Sequence, residues 1–429
     1  MINQNKKVLV ITFSFPPKHS MASVRMAGLA KYLPQHGWDP TFLTVDLPGE
    51  PEDGYRVIQV PHPGDISERV KGLLGLNPKE GMQIQLGLSD PVITSKRSLR
   101  GRILTGIKGW ITYPDKRKSW KPGAVKSLRD LLSRERFDAL ISSSPPPITH
   151  LIAKKAKREY GLPWIADLRD LWSQNYIYPY RGLRKNLDKN LEMRTLSRAD
   201  FLTTVSEPLR EQLASLHPDA KIRVITNGFD PEEYKKTELS DKFSIIYTGQ
   251  IYPGKQQPET FFRALSNLLS SSLISEDDVE VLFFGPPYRY MDRMISEYNL
   301  QKVVCKKGII PREEALYNQR RAQILLVFNW VDAKQQGVYT GKVFEYLAAR
   351  RPILAVGGPQ GVVSDLLMET KTGIHPENEE LLSDTILSWY EEFKHKGSVS
   401  YQGNEMISKY SHLKMAESIA EVLDEISCQ

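Results

Sequence analysis

Short β-rich runs alternate with helical stretches along this chain, and the alternation breaks once and then restarts. In the first half the runs lie at 8–13, 41–45, 56–60, 139–143, 164–166, 201–205 and 223–225. The spacing between them predicts helices over 22–35, 122–134, 148–160, 184–198 and 207–216. In the second half strands are expected at 244–247, 279–284, 303–306, 324–328 and 353–356. Helices are expected near 258–270, 289–298, 312–321, 342–350, 379–394 and 405–426. Strand–helix–strand repetition builds parallel sheets covered by helices on both faces, an α/β doubly wound class. The stretch from Asn227-Gly-Phe-Asp-Pro231 to Asp241 is turn-rich and then charged, and is read as the junction. A chain of 429 residues exceeds one ordinary core. Two domains are therefore expected, 1–227 and 228–404, with a last segment, 405–429, packing back toward the first. Residues 62–120 do not fit the alternation and read as an irregular insertion.

Composition narrows the class. Hydrophobic content of 40% and charged content of 25% are those of a globular protein. No apolar run approaches the length of a membrane span, and the run at 8–13 is too short for a signal peptide. The two cysteines form neither a disulfide framework nor a metal pattern, so a reducing cytoplasm is the expected compartment. The eight histidines are scattered, and no metal site is expected. No G-x-G-x-x-G follows the first strand, which argues against a nicotinamide or flavin cofactor.

The net charge of +7 is concentrated. Between His62 and Trp120 eleven Lys or Arg face five Asp or Glu. Within that segment Leu99, Ile103, Ile107 and Trp110 recur at helical spacing, with Arg97, Arg100 and Lys108 between them. Two readings stay open: a basic amphipathic face on anionic lipid, or a helix packed on its own domain. Nothing resembles a nucleic-acid module.

Several motifs fall at strand ends, where open sheets bind ligands. Gly341-Lys342-Val343-Phe-Glu345 reads as a glycine turn and a helix start. Free amides there attract phosphate, Lys342 adds charge, and Glu345 suits a hydroxyl donor such as ribose. The alternative is an ordinary helix with both side chains solvated. Gly249-Gln-Ile-Tyr-Pro-Gly254-Lys255-Gln256 nearly matches a phosphate-binding loop, but Gln256 lacks the hydroxyl that holds magnesium. A nucleoside triphosphatase is not expected, although Lys255 remains placed to meet phosphate. Phe15-Pro16-Pro17 stiffens the loop after the first strand, and Arg25 follows on a helix, free for a phosphate or carboxylate or simply solvated. Asp167-Leu-Arg169-Asp170-Leu-Trp172 follows another strand. One of its carboxylates is expected to pair with Arg169, and the other to orient a sugar hydroxyl or act as a base. Ser143 would line the same cleft.

Together Phe15-Pro-Pro17 with Arg25, Tyr113-Pro-Asp115 with Trp120, Asp167 to Trp172, Thr204-Val-Ser-Glu207, Val224 to Gly228 and Lys342 to Ala348 resemble one branch of the retaining glycosyltransferases of family 4. The resemblance covers nearly the whole chain. It implies the GT-B architecture of two facing Rossmann-like domains, with a nucleotide diphosphate sugar bound to the second and the acceptor to the first. It implies sugar transfer with retention by a front-face route that needs no protein nucleophile. No cofactor is expected, and since no D-x-D follows an apolar strand a metal-independent site is the simpler reading. Lys255, Asp167, Arg169 and Asp170 are the candidate catalytic residues. Gly249, Lys255, Gly341, Lys342, Val343 and Glu345 would hold the donor, with Glu345 on the ribose. Phe15, Pro16, Arg25, Asp115, Ser143 and Trp172 would shape the acceptor side. The basic segment suggests a lipid-linked or cell-surface glycan acceptor, at the inner face of the plasma membrane. The chain departs from the family pattern at Ala22-Ser23, Ser142–Ser144, Gln250 and Gly337, which stand where paired glycines, a histidine, an arginine and the first of two glutamates are usual. A non-catalytic sugar-nucleotide or glycan binder, or a nucleotide-sugar epimerase, on the same scaffold are the alternatives.

Overall fold

The computed structural model describes residues 5–428 apart from 19, 52–53, 65–109, 111 and 287–288. Most of the 62–120 insertion, and with it the basic stripe at Arg97, Leu99, Arg100, Ile103, Ile107 and Lys108, lies outside the described residues.

The chain divides into two units. Unit 1 comprises residues 1–227 and 412–429, and unit 2 comprises 228–411. In unit 1 the elements run β1 (Lys6–Ile11), α1 (Met21–Tyr32), β2 (Trp38–Val45), β3 (Arg56–Val60), α2 (Lys121–Arg134), β4 (Ala139–Ser144), α3 (Ile148–Tyr160) and β5 (Trp164–Leu168). They continue with α4 (Leu183–Leu196), β6 (Phe201–Thr204), α5 (Glu207–Leu216) and β7 (Ile222–Val224). Unit 2 contains β8 (Phe243–Thr248), α6 (Glu259–Ser270), β9 (Val279–Phe284), α7 (Arg289–Glu297), β10 (Val304–Gly308), α8 (Arg312–Arg321) and β11 (Ile324–Phe328). It closes with α9 (Gly341–Ala349), β12 (Ile353–Val356), α10 (Val362–Thr370), β13 (Gly373–Ile374) and α11 (Glu379–Lys396). The final helix, α12 (His412–Ser427), belongs to unit 1.

Both sheets are parallel. Their strand orders are β3-β2-β1-β4-β5-β6-β7 and β10-β9-β8-β11-β12-β13. Each order reverses beside its first strand, between β1 and β4 and between β8 and β11. Loops leaving the carboxyl ends of such a strand pair diverge and leave room for a ligand.

Alternation along the strands explains the layers. Val8 and Val10 point to a core with Met26 and Leu29 of α1 and Ile419 and Leu423 of α12. Leu9 and Ile11 point the other way, to Leu128, Ile152 and Leu213. α12 approaches α1 so closely that a Cβ on Gly28 would lie 2.5 Å from His412 Cγ. The expected single helix over 405–426 is in fact two pieces. Asn404 accepts from the Met406 amide and starts a 3-10 turn over Glu405–Tyr410, and extended backbone at Ser411 separates that turn from α12. No helix among the described residues is long and apolar enough to cross a membrane.

Candidate functional site

Charged side chains gather at the carboxyl ends of both sheets. In unit 1 the centre is Asp167, the penultimate residue of β5, buried to 1% exposure. Arg25 of α1 meets it side-on, with Nε at 3.2 Å from Oδ2 and Nη2 at 2.9 Å from Oδ1. Ser143 Oγ of β4 donates to Oδ2 at 2.8 Å, and Thr203 Oγ1 of β6 donates to Oδ1 at 2.9 Å. Four donors occupy the acceptor capacity of a carboxylate. Burial raises the Asp167 pKa, but Arg25 and Arg169 outweigh it and hold the group below the ordinary carboxylate range. Arg25 is itself buried, and its Nη1 donates to the Thr226 carbonyl at 2.8 Å.

This geometry changes several expectations. The carboxylate partner of Asp167 is Arg25 rather than Arg169, and Arg25 has no face left for a ligand. Arg169 Nε instead approaches Ser143 Oγ at 3.2 Å, and Nη2 the Pro145 carbonyl at 3.3 Å. Asp170 is half-buried, has no hydrogen-bond partner among the described residues, and has its pKa raised by burial against the pull of Arg169. Asp115 is occupied too, since its Oδ1 accepts the Arg117 amide at 2.8 Å and its Oδ2 the Ile148 amide at 3.0 Å. The second contact caps the start of α3 from a distant loop. Phe15 is wholly buried against Phe42, and Trp172 is buried near His150, so both are walls of the core, while Pro16 is half-buried. His150 was not anticipated. It is buried, its Nδ1 lies 2.7 Å from Ser142 Oγ, and burial depresses its pKa to about 3.

In unit 2 the loop after β8 and the start of α9 come together. Gly249 has φ +103, a left-handed conformation that glycine adopts without strain. A Cβ there would also lie 2.9 Å from Lys342 Cε. The Lys342 ammonium sits 4.9 Å over the Tyr247 ring and donates to the Gln250 carbonyl at 3.3 Å. Burial lowers its pKa to about 8, with Glu345 pulling the other way. Lys255 is half-buried and has no ion pair among the described residues. Gln256, the departure from the phosphate-loop pattern, has a structural duty. Its Oε1 accepts the Tyr252 amide at 3.0 Å and its Nε2 donates to the Phe328 carbonyl at 2.7 Å, tying the loop to β11.

Glu345 lies one turn along α9. Gln319 Nε2 of α8 donates to Thr248 Oγ1 at 2.9 Å and to Glu345 Oε2 at 3.3 Å. Arg312 is held by Glu233 through contacts of 3.0 and 3.2 Å, and its Nε stands 3.8 Å from Glu345 Oε1. Burial raises the Glu345 pKa while Arg312 lowers it, and the rise prevails. Glu233, Arg312 and Gln319 carried no motif, and only their placement on facing elements reveals them. The Val343 amide is bonded back to the Thr340 carbonyl at 3.1 Å. Thr340 Oγ1, Gln319 Oε1 and Arg312 Nε are buried without a hydrogen-bond partner among the described residues. Gly337 is buried and brings no carboxylate. No group of three or more His, Cys, Asp or Glu among the described residues could hold a metal ion.

Comparison with known proteins agrees with this architecture. The family model for Glycosyltransferase Family 4 matches residues 90–233. A search of curated proteins finds no match. Sucrose-phosphate synthase from Thermosynechococcus elongatus superposes with a TM-score of 0.64 at 13% identity, covering 98% of both chains. A glycosyltransferase from Rickettsia africae gives 0.60 at 15% identity, again over 98% of both chains. HepE of Anabaena, solved in complex with UDP and glucose, gives 0.59 at 13% identity over 98% of this chain and 100% of its own. At these identities the structures speak for the fold. The family match supports a family 4 assignment, and the fold is GT-B.

Proposed function

We propose that this glycosyltransferase of GT-B architecture moves a sugar from a nucleotide diphosphate sugar to a lipid-linked or cell-surface glycan, with retention of configuration and without a metal. One observation carries the donor side. Lys342, Glu345 and three buried polar atoms without partners surround the start of α9, at the reversal point of the second sheet. Buried polar groups are ordinarily satisfied, so a cluster that is not, beside a helix start and a lysine, suits a phosphorylated, hydroxyl-rich ligand. HepE of Anabaena was solved with UDP, which makes uridine diphosphate the first nucleotide to test.

The demand in such a transfer is charge developing on the departing diphosphate. The amides of Gly341 and Lys342, with the Lys342 and Lys255 ammonium groups, would stabilise it without rearrangement. Gly249, without a Cβ, lets the Lys342 side chain lie against the loop and so sets the position of its ammonium. Glu345 would accept from the ribose hydroxyls, with Gln319 and Arg312 keeping it oriented. On the acceptor side Arg169 and Asp170 are the groups with capacity to spare. Asp167 acts by holding β4, β5, β6 and α1 in register beneath them.

The test is donor turnover by purified protein. Slow release of free sugar from the donor, faster with acceptor and unchanged by chelator, supports the reading. Gly337, where an acidic residue is usual, favours one rival, a non-catalytic binder. Tight nucleotide binding without any hydrolysis would establish that rival, and conversion of the donor to an isomer would establish an epimerase. Loss of turnover on chelation, restored by magnesium, would overturn the metal-free mechanism.

A further inference from the structure

Helix α4 reverses the arrangement usual for a surface helix. Its buried stripe is Arg184, Asp188 and Glu192, spaced four apart, with Thr195 and Leu196 beside them. Unit 1 engages these charges internally, although Asp188 Oδ1 and Glu192 Oε1 have no hydrogen-bond partner among the described residues. Arg184 Nε donates to Asp188 Oδ2 at 2.7 Å, and the guanidinium lies 4.6 and 4.4 Å from the rings of Tyr113 and Tyr180. Glu192 Oε2 accepts the Ser173 amide at 2.9 Å. These are the only two acids of the helix, so its exposed charges are all cations: Lys185, Lys189 and Arg194. Between them stand Leu183 at 66% and Met193 at 40% exposure. By helical geometry, at 100° per residue, Leu183 and Met193 fall on the side away from the buried stripe, and Lys189 and Arg194 flank them.

The neighbouring helix extends the same character. α3 lies alongside, with Lys154 Nζ donating to the Arg194 carbonyl at 2.6 Å. Burial, and then the charges of Arg198, Lys121, Arg158 and Arg194, push the Lys154 pKa down. The nearby acids are committed, Glu159 to Arg129 and Asp200 to Lys157. Among the described residues Lys121, Lys189, Arg194 and Arg198 have no carboxylate within ion-pair distance.

Cations gathered without counter-charge repel one another and favour a large anionic partner. Single apolar side chains among them match the headgroup boundary of a bilayer, where lysine and arginine meet lipid phosphate. A nucleic acid would call for exposed aromatic rings to stack its bases, and the outer face of α4 has none. We propose that the outer face of α4, with the adjoining part of α3, docks this protein on an anionic phospholipid surface. The inference deepens the lipid-linked acceptor reading and takes its purpose from it. α4 follows the loop carrying Arg169 and Asp170, so docking would present that loop to an acceptor held in the same membrane.

Sedimentation of the full chain with phosphatidylglycerol vesicles, against phosphatidylcholine vesicles, tests it. Binding is expected only to the anionic vesicles, and it should weaken as salt rises. The triple variant Lys189→Glu, Arg194→Glu, Arg198→Glu should lower partitioning by about 100-fold or more, at about fivefold per charge removed. Its melting temperature and donor hydrolysis should stay at the parent values. Leu183→Ser with Met193→Ser should weaken binding while leaving the salt dependence in place. Equal binding to both vesicle types, no binding by the parent, RNA binding in place of vesicle binding, or a triple variant that partitions like the parent would each overturn the proposal. Vesicle binding by a chain that never hydrolyses donor would leave the docking face standing and remove the enzymatic reading instead.

Discussion

The two charged centres of this molecule use the same residue types to opposite ends. Around Asp167 every strong donor has its acceptor: Arg25, Ser143 and Thr203 fill both carboxylate oxygens, in a place closed to solvent. Around Glu345 the same accounting leaves gaps, since Arg312 Nε, Gln319 Oε1 and Thr340 Oγ1 have no partner among the described residues and Lys342 meets only a carbonyl and a ring. A saturated buried ion pair fixes architecture, because nothing in it is free to recognise a ligand. An unsaturated, half-buried one is costly to the fold and is expected where function requires it.

The strongest way to break this contrast is to remove one member of the saturated centre. Arg25→Ala should destabilise unit 1 by about 3–5 kcal/mol, the cost of leaving a buried charge unpaired, as read by urea unfolding. Its pH signature follows from the lowered Asp167 pKa. The stabilisation is complete above the unfolded carboxylate pKa of about 4 and is lost as pH falls through the lower folded value. A variant that unfolds like the parent but loses turnover would place Arg25 in the site and collapse the distinction.

In the other centre the effects should fall on chemistry and spare the fold. Lys342→Ala and Lys255→Ala should each reduce turnover by about 10²-fold, the scale of one lost stabiliser of a developing anion, with melting temperatures near that of the parent. Parent-like turnover in both would show the diphosphate site to be misplaced. A smaller effect is expected at Glu345. Glu345→Gln should weaken donor binding about tenfold, on the scale of one hydrogen bond to a charged group, measured by calorimetry with the nucleotide sugar. An unchanged affinity would remove Glu345 from the ribose.

The mildest test is pH. With the Lys342 pKa lowered to about 8 by burial, kcat/KM for the donor should decline as pH rises through that value and the ammonium loses its proton. An ordinary lysine would hold its charge to about 10.4. The limb should vanish in Lys342→Arg if that variant binds donor. A flat profile to pH 10 would show that Lys342 does not meet the phosphates.

How far the sequence reached follows the same division. The loop after β8 and the start of α9 were legible as local structure because their signals are local. Gly249 needs its φ, the helix start at Gly341 attracts anions, and Lys342 and Glu345 share one helix end. Arg25 and Asp115 were read from the same kind of signal, and both are taken up by other partners. Asp115 caps a helix start 33 residues away, and Arg25 reaches Asp167 across 142 residues. No local pattern distinguishes a carboxylate that will be filled by such partners from one that will stay open.

What the sequence by itself determined is the alternation of strands and helices, its interruption near residue 228, and the placing of glycine, proline and charge at strand ends. Those depend on backbone sterics and on hydrophobic periodicity, which act within a few residues. Only the tertiary structure decided which charges neutralise one another and which remain available. It also decided that α4 buries its acids with Arg184 and leaves its other cations exposed. Those outcomes depend on distances between elements far apart in the chain, set when the sheets assemble and the helices pack on them.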